Sequence, residues 1–203
     1  MPTYSTTSVV NYALVLCGAT TITAITDDTP NARALNTVYE ISRKNFLTDN
    51  QWLFSTTRST LSTVATSTIA WFHNEESYVY TKPSTALRIW ELSERHAVWR
   101  EEGDYIISDS AGLGAKWAFD QTDLSKWSPY AIEAFSYKLA SDIAFMIMNS
   151  ATKAKALKEY YQSSALPDAM SKNSQTGTFQ SVIDDEWEAA KYLNGGNQSR
   201  SYS

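Results

Sequence analysis

Asp27 to Arg58, DDTPNARALNTVYEISRKNFLTDNQWLFSTTR, decides the fold, because a well-marked helix start leads into an aromatic cluster and then straight into strand-like sequence. Thr29 can cap a helix through its hydroxyl, and Pro30 suits the first helical position, where a missing N–H costs nothing. Asp27 and Asp28 favour the positive end of the helix. Leu35, Val38, Ser42 and Phe46 recur at three- and four-residue steps and give one largely apolar face over 29–52, closed by Trp52, Leu53 and Phe54.

Working outward, Thr6 to Leu16 reads as a short helix with Val9, Ala13 and Leu16 on one face and Gly18 as a left-handed cap. Ser55 to Thr68 is rich in Ser and Thr and suits extended structure or surface loop, with Leu61 and Val64 as inward anchors. A run of about five strands follows: Ser77 to Tyr80, Leu87 to Leu92, Ala97 to Arg100, Tyr105 to Ser108 and Ala115 to Phe119. Glu101-Glu102-Gly103-Asp104 supplies the glycine of a three- or four-residue hairpin. Both faces of Leu87 to Leu92 carry large apolar groups, which predicts a sheet partly covered by another layer.

Ser128-Pro129 repeats the cap-plus-proline start, and Ile132, Phe135, Leu139, Ile143 and Met146 form a helical stripe. Lys153 to Ser164 continues as helix until Pro167 stops it, and Asp168 to Thr178 reads as an exposed polar linker. Ser181 to Leu193 can form a last short helix before Gly195-Gly196. The expected class is α+β: a helical bundle built from N- and C-terminal helices with an inserted, mainly antiparallel β-sheet. The main domain is expected to span 1–166, with helices 6–17, 29–52 and 128–164 and a β insertion at 55–121; residues 167–203 are expected to form linker, short helix and tail.

Composition narrows function. The 203-residue chain has 17 basic and 22 acidic residues and a net charge of −5, against the basic patch that a nucleic-acid surface needs. Seven Trp and twelve Tyr are many for this length and favour large cores or interfaces. Cys17 is the single cysteine, so no intrachain disulfide or cysteine zinc site exists, and it reads as a small core residue. The N-terminus lacks a basic secretory segment and its apolar run is too short to cross a bilayer, so the chain is expected to be soluble and cytoplasmic when made.

Chemistry finds no constellation. His73 and His96 are the only histidines and share no metal-ligand spacing; nucleophile elbows and phosphate-binding glycine loops are absent. The acid pairs Asp27-Asp28, Glu75-Glu76 and Glu101-Glu102 and the run Asp184-Asp185-Glu186 are sequence neighbours, which do not face each other as an acid/base dyad must. The expectation is no enzyme, no cofactor and no metal. At the C-terminus, Val182, Ile183, Trp187, Ala190 and Leu193 combine an apolar stripe with acids. This segment either docks into a groove of a partner or folds back on its own helices. Trp187 and Tyr192 are the expected interface contacts, with Asp184, Asp185 and Glu186 as their polar rim.

One family resemblance rests on ordered motifs. L-x-x-x-G-A spans Leu14 to Ala19 and DD-x-x-N-A-R-A-L-N-x-x-Y-E-x-S-R spans Asp27 to Arg43. W-L-F-S-T-x-R spans Trp52 to Arg58, K-P-S-x-A-L-R-I spans Lys82 to Ile89 and W-R-E-E-G-D-Y-I-I-S-D spans Trp99 to Asp109. With the helix starting at Ser128-Pro129-Tyr130, the combination, over roughly Ser5 to Ala165, resembles the head-to-tail adaptor family of tailed bacteriophages, the tail tubular protein A type. The resemblance implies a structural virion protein at the head–tail junction. It would form a ring with itself, commonly of twelve copies, between the portal protein and the tail nozzle protein. Genomic DNA would pass through without specific binding, no membrane would be involved, and there would be no catalytic residues. The alternative is a virion-associated peptidoglycan hydrolase; a small-molecule binding domain would need a polar pocket that the sequence does not announce.

Overall fold

Helix α1, Thr6–Cys17, begins where the Ser5 and Ser8 hydroxyls reciprocally accept each other's backbone N–H, a capping box with serine in place of the usual glutamate. It ends at Gly18, whose positive φ of 71° lets Ala19 N–H reach back to Leu14 O at 2.9 Å. The computed structural model describes residues 4–72 and 76–176.

Helix α2, Pro30–Asp49, starts as expected, with Thr29 Oγ1 accepting from Ala32 N–H and Pro30 at the first position. The two aspartates do other work. Asp27 Oδ2 accepts from the N–H groups of Thr23 and Ala24 and closes the preceding loop, and Asp28 pairs with Arg33. The helix ends at Asp49, three residues before Trp52, and Asn50 beyond it is in extended conformation. The chain then doubles back, so that the Trp52 indole N–H donates to Phe46 O at 2.8 Å, satisfying one of the helix's last free carbonyls. Trp52 therefore caps α2 from the side and does not prolong it.

Seven strands follow among the described residues: β1 Thr56–Thr60, β2 Thr63–Val64, β3 Tyr78–Thr81, β4 Ala86–Leu92, β5 Trp99–Glu102, β6 Tyr105–Ser108 and β7 Gly114–Phe119. They form two antiparallel sheets, ordered β1-β7-β4 and β2-β3-β6-β5, where a single sheet of about five strands was expected. The Thr-rich stretch supplies the difference, since β1 extends one sheet and β2 the other. Leu61 between them is buried as expected, while Val64 is half-buried. The β5–β6 hairpin pairs Glu102 with Tyr105 across a two-residue turn, tighter than expected, with Gly103 at φ 59° in the first central position.

Strand β4 departs from strict alternation. Its register against β7 slips between Ala86 and Arg88 and again between Ile89 and Glu91, so Leu87 and Trp90 are each an extra, bulged residue. Leu87 packs on the helical core, whereas Ile89 and Leu92 join Leu61, Tyr80, Ile106 and Trp117 in a separate sheet core. The large residues on both faces thus reflect one strand serving two cores.

Helix α3, Pro129–Met148, is capped by Ser128 Oγ accepting from Ala131 N–H and ends on Asn149 at φ 47°. Ile132, Phe135, Leu139 and Ile143 are buried, but Met146 is 54% exposed. Ile147 packs on the core in its place, since a further step of four brings that residue back over the stripe. Helix α4, Ala151–Tyr160, leads through a π-helical turn, Tyr161–Ala165, into α5, Leu166–Ser174. This corrects two expectations. Pro167 does not stop the helix: it falls in the first turn after the π-helical segment, whose wider hydrogen-bond register accommodates a residue that has no N–H and crowds the preceding turn. Nor is 168–174 an exposed linker, because Ala169 is buried and the Asn173 side chain clasps the Trp52 turn. Its Oδ1 accepts from Leu53 N–H at 3.1 Å and its Nδ2 donates to Gln51 O at 3.0 Å. The chain is α+β, with α3 packed against α1, α2, α4 and α5.

Candidate functional site

Several of the charged groups among the described residues form ion pairs with one another. Glu101 and Glu102, adjacent in β5, reach different partners, Lys82 at 2.6 Å and Arg100 at 2.8 Å, as opposite faces of a strand require. Asp142 takes Lys138 and the Ser42 hydroxyl, and Asp120 takes Arg43. Among the described residues no group of three His, Cys, Asp or Glu side chains is placed to hold a metal ion. His96 is exposed, and His73 lies outside the described residues. No helix of the described residues is long and apolar enough to cross a membrane.

Burial pushes the Cys17 thiol up to about 11, which keeps it protonated and poorly nucleophilic at neutral pH. Burial, followed by the neighbouring Tyr12 and Tyr160 phenols, pushes Tyr137 up to about 12, and burial raises Tyr161 as well. All three are acids that the fold holds in the neutral form. Their contribution to stability is complete below the ordinary thiol and phenol range and is lost as pH rises through 11 to 12. The thermal midpoint is therefore expected to be flat from about pH 7 to 9 and to drop by roughly 5 °C or more by about pH 11, measured by circular dichroism.

The surface offers a better candidate than the titratable groups. Tyr137 on α3 lies 6.3 Å, ring to ring, from Tyr12 on α1 and 4.6 Å from Tyr160 on α4. Tyr12, Val15, Tyr130 and Tyr160 are exposed by 39 to 58%, and together with Tyr137 they lay an aromatic strip across three helices. A groove opens at each end of α4. One, of about 420 Å³, is walled by Val15, Leu16, Cys17, Met148 and Leu157, with Lys153 the one charged side chain lining it. The other, of about 330 Å³, lies between Tyr130, Tyr160 and α5, with Glu133, Asp168 and Lys172 around it and the Lys172 ammonium 5.9 Å from the Tyr130 ring. Exposed contiguous aromatic surface of this sort is characteristic of contact with another polypeptide.

The expected contacts Trp187 and Tyr192 and their rim Asp184, Asp185 and Glu186 lie outside the described residues. The tyrosine strip was not expected from sequence. Its signal was present in the seven-residue spacing of Tyr130 and Tyr137, which puts both on one face of α3, and in the overall excess of tyrosine.

No protein-family model matches the chain, and no curated protein matches it.

Proposed function

We propose that the chain is a head-to-tail adaptor of a tailed bacteriophage, a structural virion protein that forms a homo-oligomeric ring between portal and tail nozzle and continues the DNA channel. The observation that carries this reading is the ordered series of motifs from Leu14 to Asp109, followed by the Ser128-Pro129 helix start. In this reading the N- and C-terminal helices act as one bundle and the strands between α2 and α3 as an insertion that reaches neighbouring proteins. A closed ring needs two different complementary surfaces on each protomer, and the tyrosine strip and the sheets are available as such surfaces. Assembly proceeds by interface burial, on the order of 800 Å² per partner for a stable contact. The net charge of −5 suits a lumen that lets DNA slide, since a mildly acidic wall repels phosphate and exchanges no counterions with it. The role requires no catalytic group, cofactor or metal.

The test is native mass measurement of the protein alone and mixed with purified portal particles. A monomer that becomes a ring, in about twelve copies, only on the portal is the expected result for a contact whose second surface the portal completes. Failure to associate with portal at micromolar concentration overturns the proposal. So does clearing of purified cell walls by the chain, if the clearing vanishes when one Asp or Glu is replaced.

A further inference from the structure

Each of the two sheets has two edges, and an edge strand presents a row of unpaired N–H and C=O groups to neighbouring chains unless it is blunted. Strand β2 is blunted by its length of two residues. Strand β4 is blunted by its bulges and by Arg88, whose Nη1 donates to Thr48 O of α2 at 3.2 Å. β1 and β5 remain, both free of proline and in unbroken register with their one partner strand. Thr57, Arg58, Ser59 and Thr60 are exposed on β1, as are Glu101 and Glu102 on β5.

The ladders fix which backbone groups face outward. Leu61 N–H donates to Leu113 O at 2.9 Å, one step beyond the Thr60–Gly114 pair. Alternation then turns the backbone groups of Ser59 and Thr57 towards β7 and those of Arg58 and Thr60 away from it. On the other sheet Asp109 N–H donates to Val98 O at 3.2 Å, one step beyond the Trp99–Ser108 pair, so Arg100 and Glu102 face β6 while the backbone groups of Trp99 and Glu101 point outward. None of these four outward residues makes a backbone bond elsewhere among the described residues.

The charges on the two edges are complementary. Arg58 shares a face with Lys116, directly opposite it on β7, and Lys116 is taken by Glu91 at 2.9 Å; Arg58 has no acid partner among the described residues. On β5, Glu101 accepts from Lys82 through Oε2 at 2.6 Å and keeps Oε1 for a second cation. Arg100 lies on the other face of β5, held by Glu76 at 3.0 Å and Glu102 at 2.8 Å. A second β1 brings no acid to Arg58, because TTRST contains none.

We propose that β1 of one copy of this chain adds antiparallel to β5 of the next copy, with Arg58 opposite Glu101 and Thr60 opposite Trp99. Each of these pairs exchanges both of its N–H···O bonds, and the hydroxyls of Ser59 and Thr57 fall opposite Arg100 and Glu102. The contact rests on the ring reading and deepens it: because the two edges differ, a series of copies keeps one free β1 and one free β5 until it closes on itself.

Thr57→Cys/Glu102→Cys tests this register in the full chain. The two positions form a non-hydrogen-bonded pair, with Cα atoms about 4.5 Å apart and within disulfide reach. Cys17 is buried and stays out of the reaction. Mild oxidation of concentrated protein, without portal, is expected to give a ladder of covalent dimers, trimers and longer species on a non-reducing gel. Adding Arg58→Glu should cut the ladder about fivefold, adding Glu101→Arg should do the same, and adding both should restore it, because the charge pair is then reversed and not removed. All four positions are exposed, so the substitutions leave both cores untouched. Absence of the ladder overturns the proposal, as does a ladder indifferent to the charge reversals or covalent dimers from Thr57→Cys alone. Portal binding without the ladder overturns this contact and leaves the adaptor reading standing; a ladder without portal binding does the reverse.

Discussion

Phe46→Ala is expected to destabilise the chain by about 4 kcal/mol, the largest effect of any single aromatic truncation in the helical core. Phe46 is fully buried, stacks on Trp52 at 4.6 Å and on Trp127 at 5.6 Å, and lies tilted against Phe135 at 5.4 Å, ring centre to ring centre. Removing the ring deletes the central member of a stack whose neighbours come from three parts of the chain, and none of those neighbours can close the space alone. Two are held by hydrogen bonds that the substitution leaves intact: Trp52 Nε1–H donates to Phe46 O and Trp127 Nε1–H to Gln121 O at 3.0 Å. With its walls fixed, the void stays open, and cost rises with the cavity that remains. Urea denaturation checks this, and for a chain of this size the thermal midpoint should fall by roughly 10 °C. Phe46→Leu, which keeps much of the volume, should cost about 1.5 kcal/mol. A loss below about 1 kcal/mol for the alanine variant would mean that the stack collapses freely.

Asp120→Ala is expected to cost about 3 kcal/mol, because it strands a buried guanidinium. Arg43 donates through Nε to Asp120 Oδ1 and through Nη2 to Asp120 Oδ2, both at 2.8 Å, and its side chain is only 11% exposed. The hydrogen bonds to Asp120 raise the guanidinium pKa against the opposing effect of burial. The carboxylate follows β7, so the pair joins α2 to the end of a strand 77 residues away in sequence, and the planar fork fixes their relative orientation as well as their distance. The informative comparison is Arg43→Met/Asp120→Ala. Replacing both partners should cost at least 1 kcal/mol less than the sum of the single changes, because the penalty lies mainly in the uncompensated charge. Additive losses from chemical denaturation would mean that the two side chains act separately.

Helix starts were legible because they rest on local chemistry. Thr29-Pro30 and Ser128-Pro129 each cap a helix with a hydroxyl and a ring-fixed φ, and no distant residue is needed to read them. Ends and irregularities were less legible because they are decided by contacts far along the chain. Trp52 turns back on Phe46, and Asn173 anchors a helix that Pro167 alone would seem to forbid. The bulges in β4 answer two cores that the local pattern does not distinguish; it signals only that both faces are apolar. Met146 shows the same limit within a helix, since steps of three and four both fit the stripe and only packing selects Ile147. The candidate surface was legible only in part. A tyrosine in a helix has the same sequence signature in a core as on a surface, and the strip emerges once α1 and α4 are placed on either side of Tyr137.

Sharing β4 between two cores has a mechanical consequence. A sheet joined to helices by loops alone would swing on them, but here Leu87 is held in the helical core while Ile89 and Leu92, two and five residues on, are held in the sheet core. At that same end, where Ala86 pairs with Phe119, the Ser55 hydroxyl donates to Phe119 O and the Arg43 fork holds Asp120, so β7 is tied to α2 and to the turn that follows it. A load on β4 or β7 therefore passes into α2 through side-chain contacts and not through the connecting loops alone.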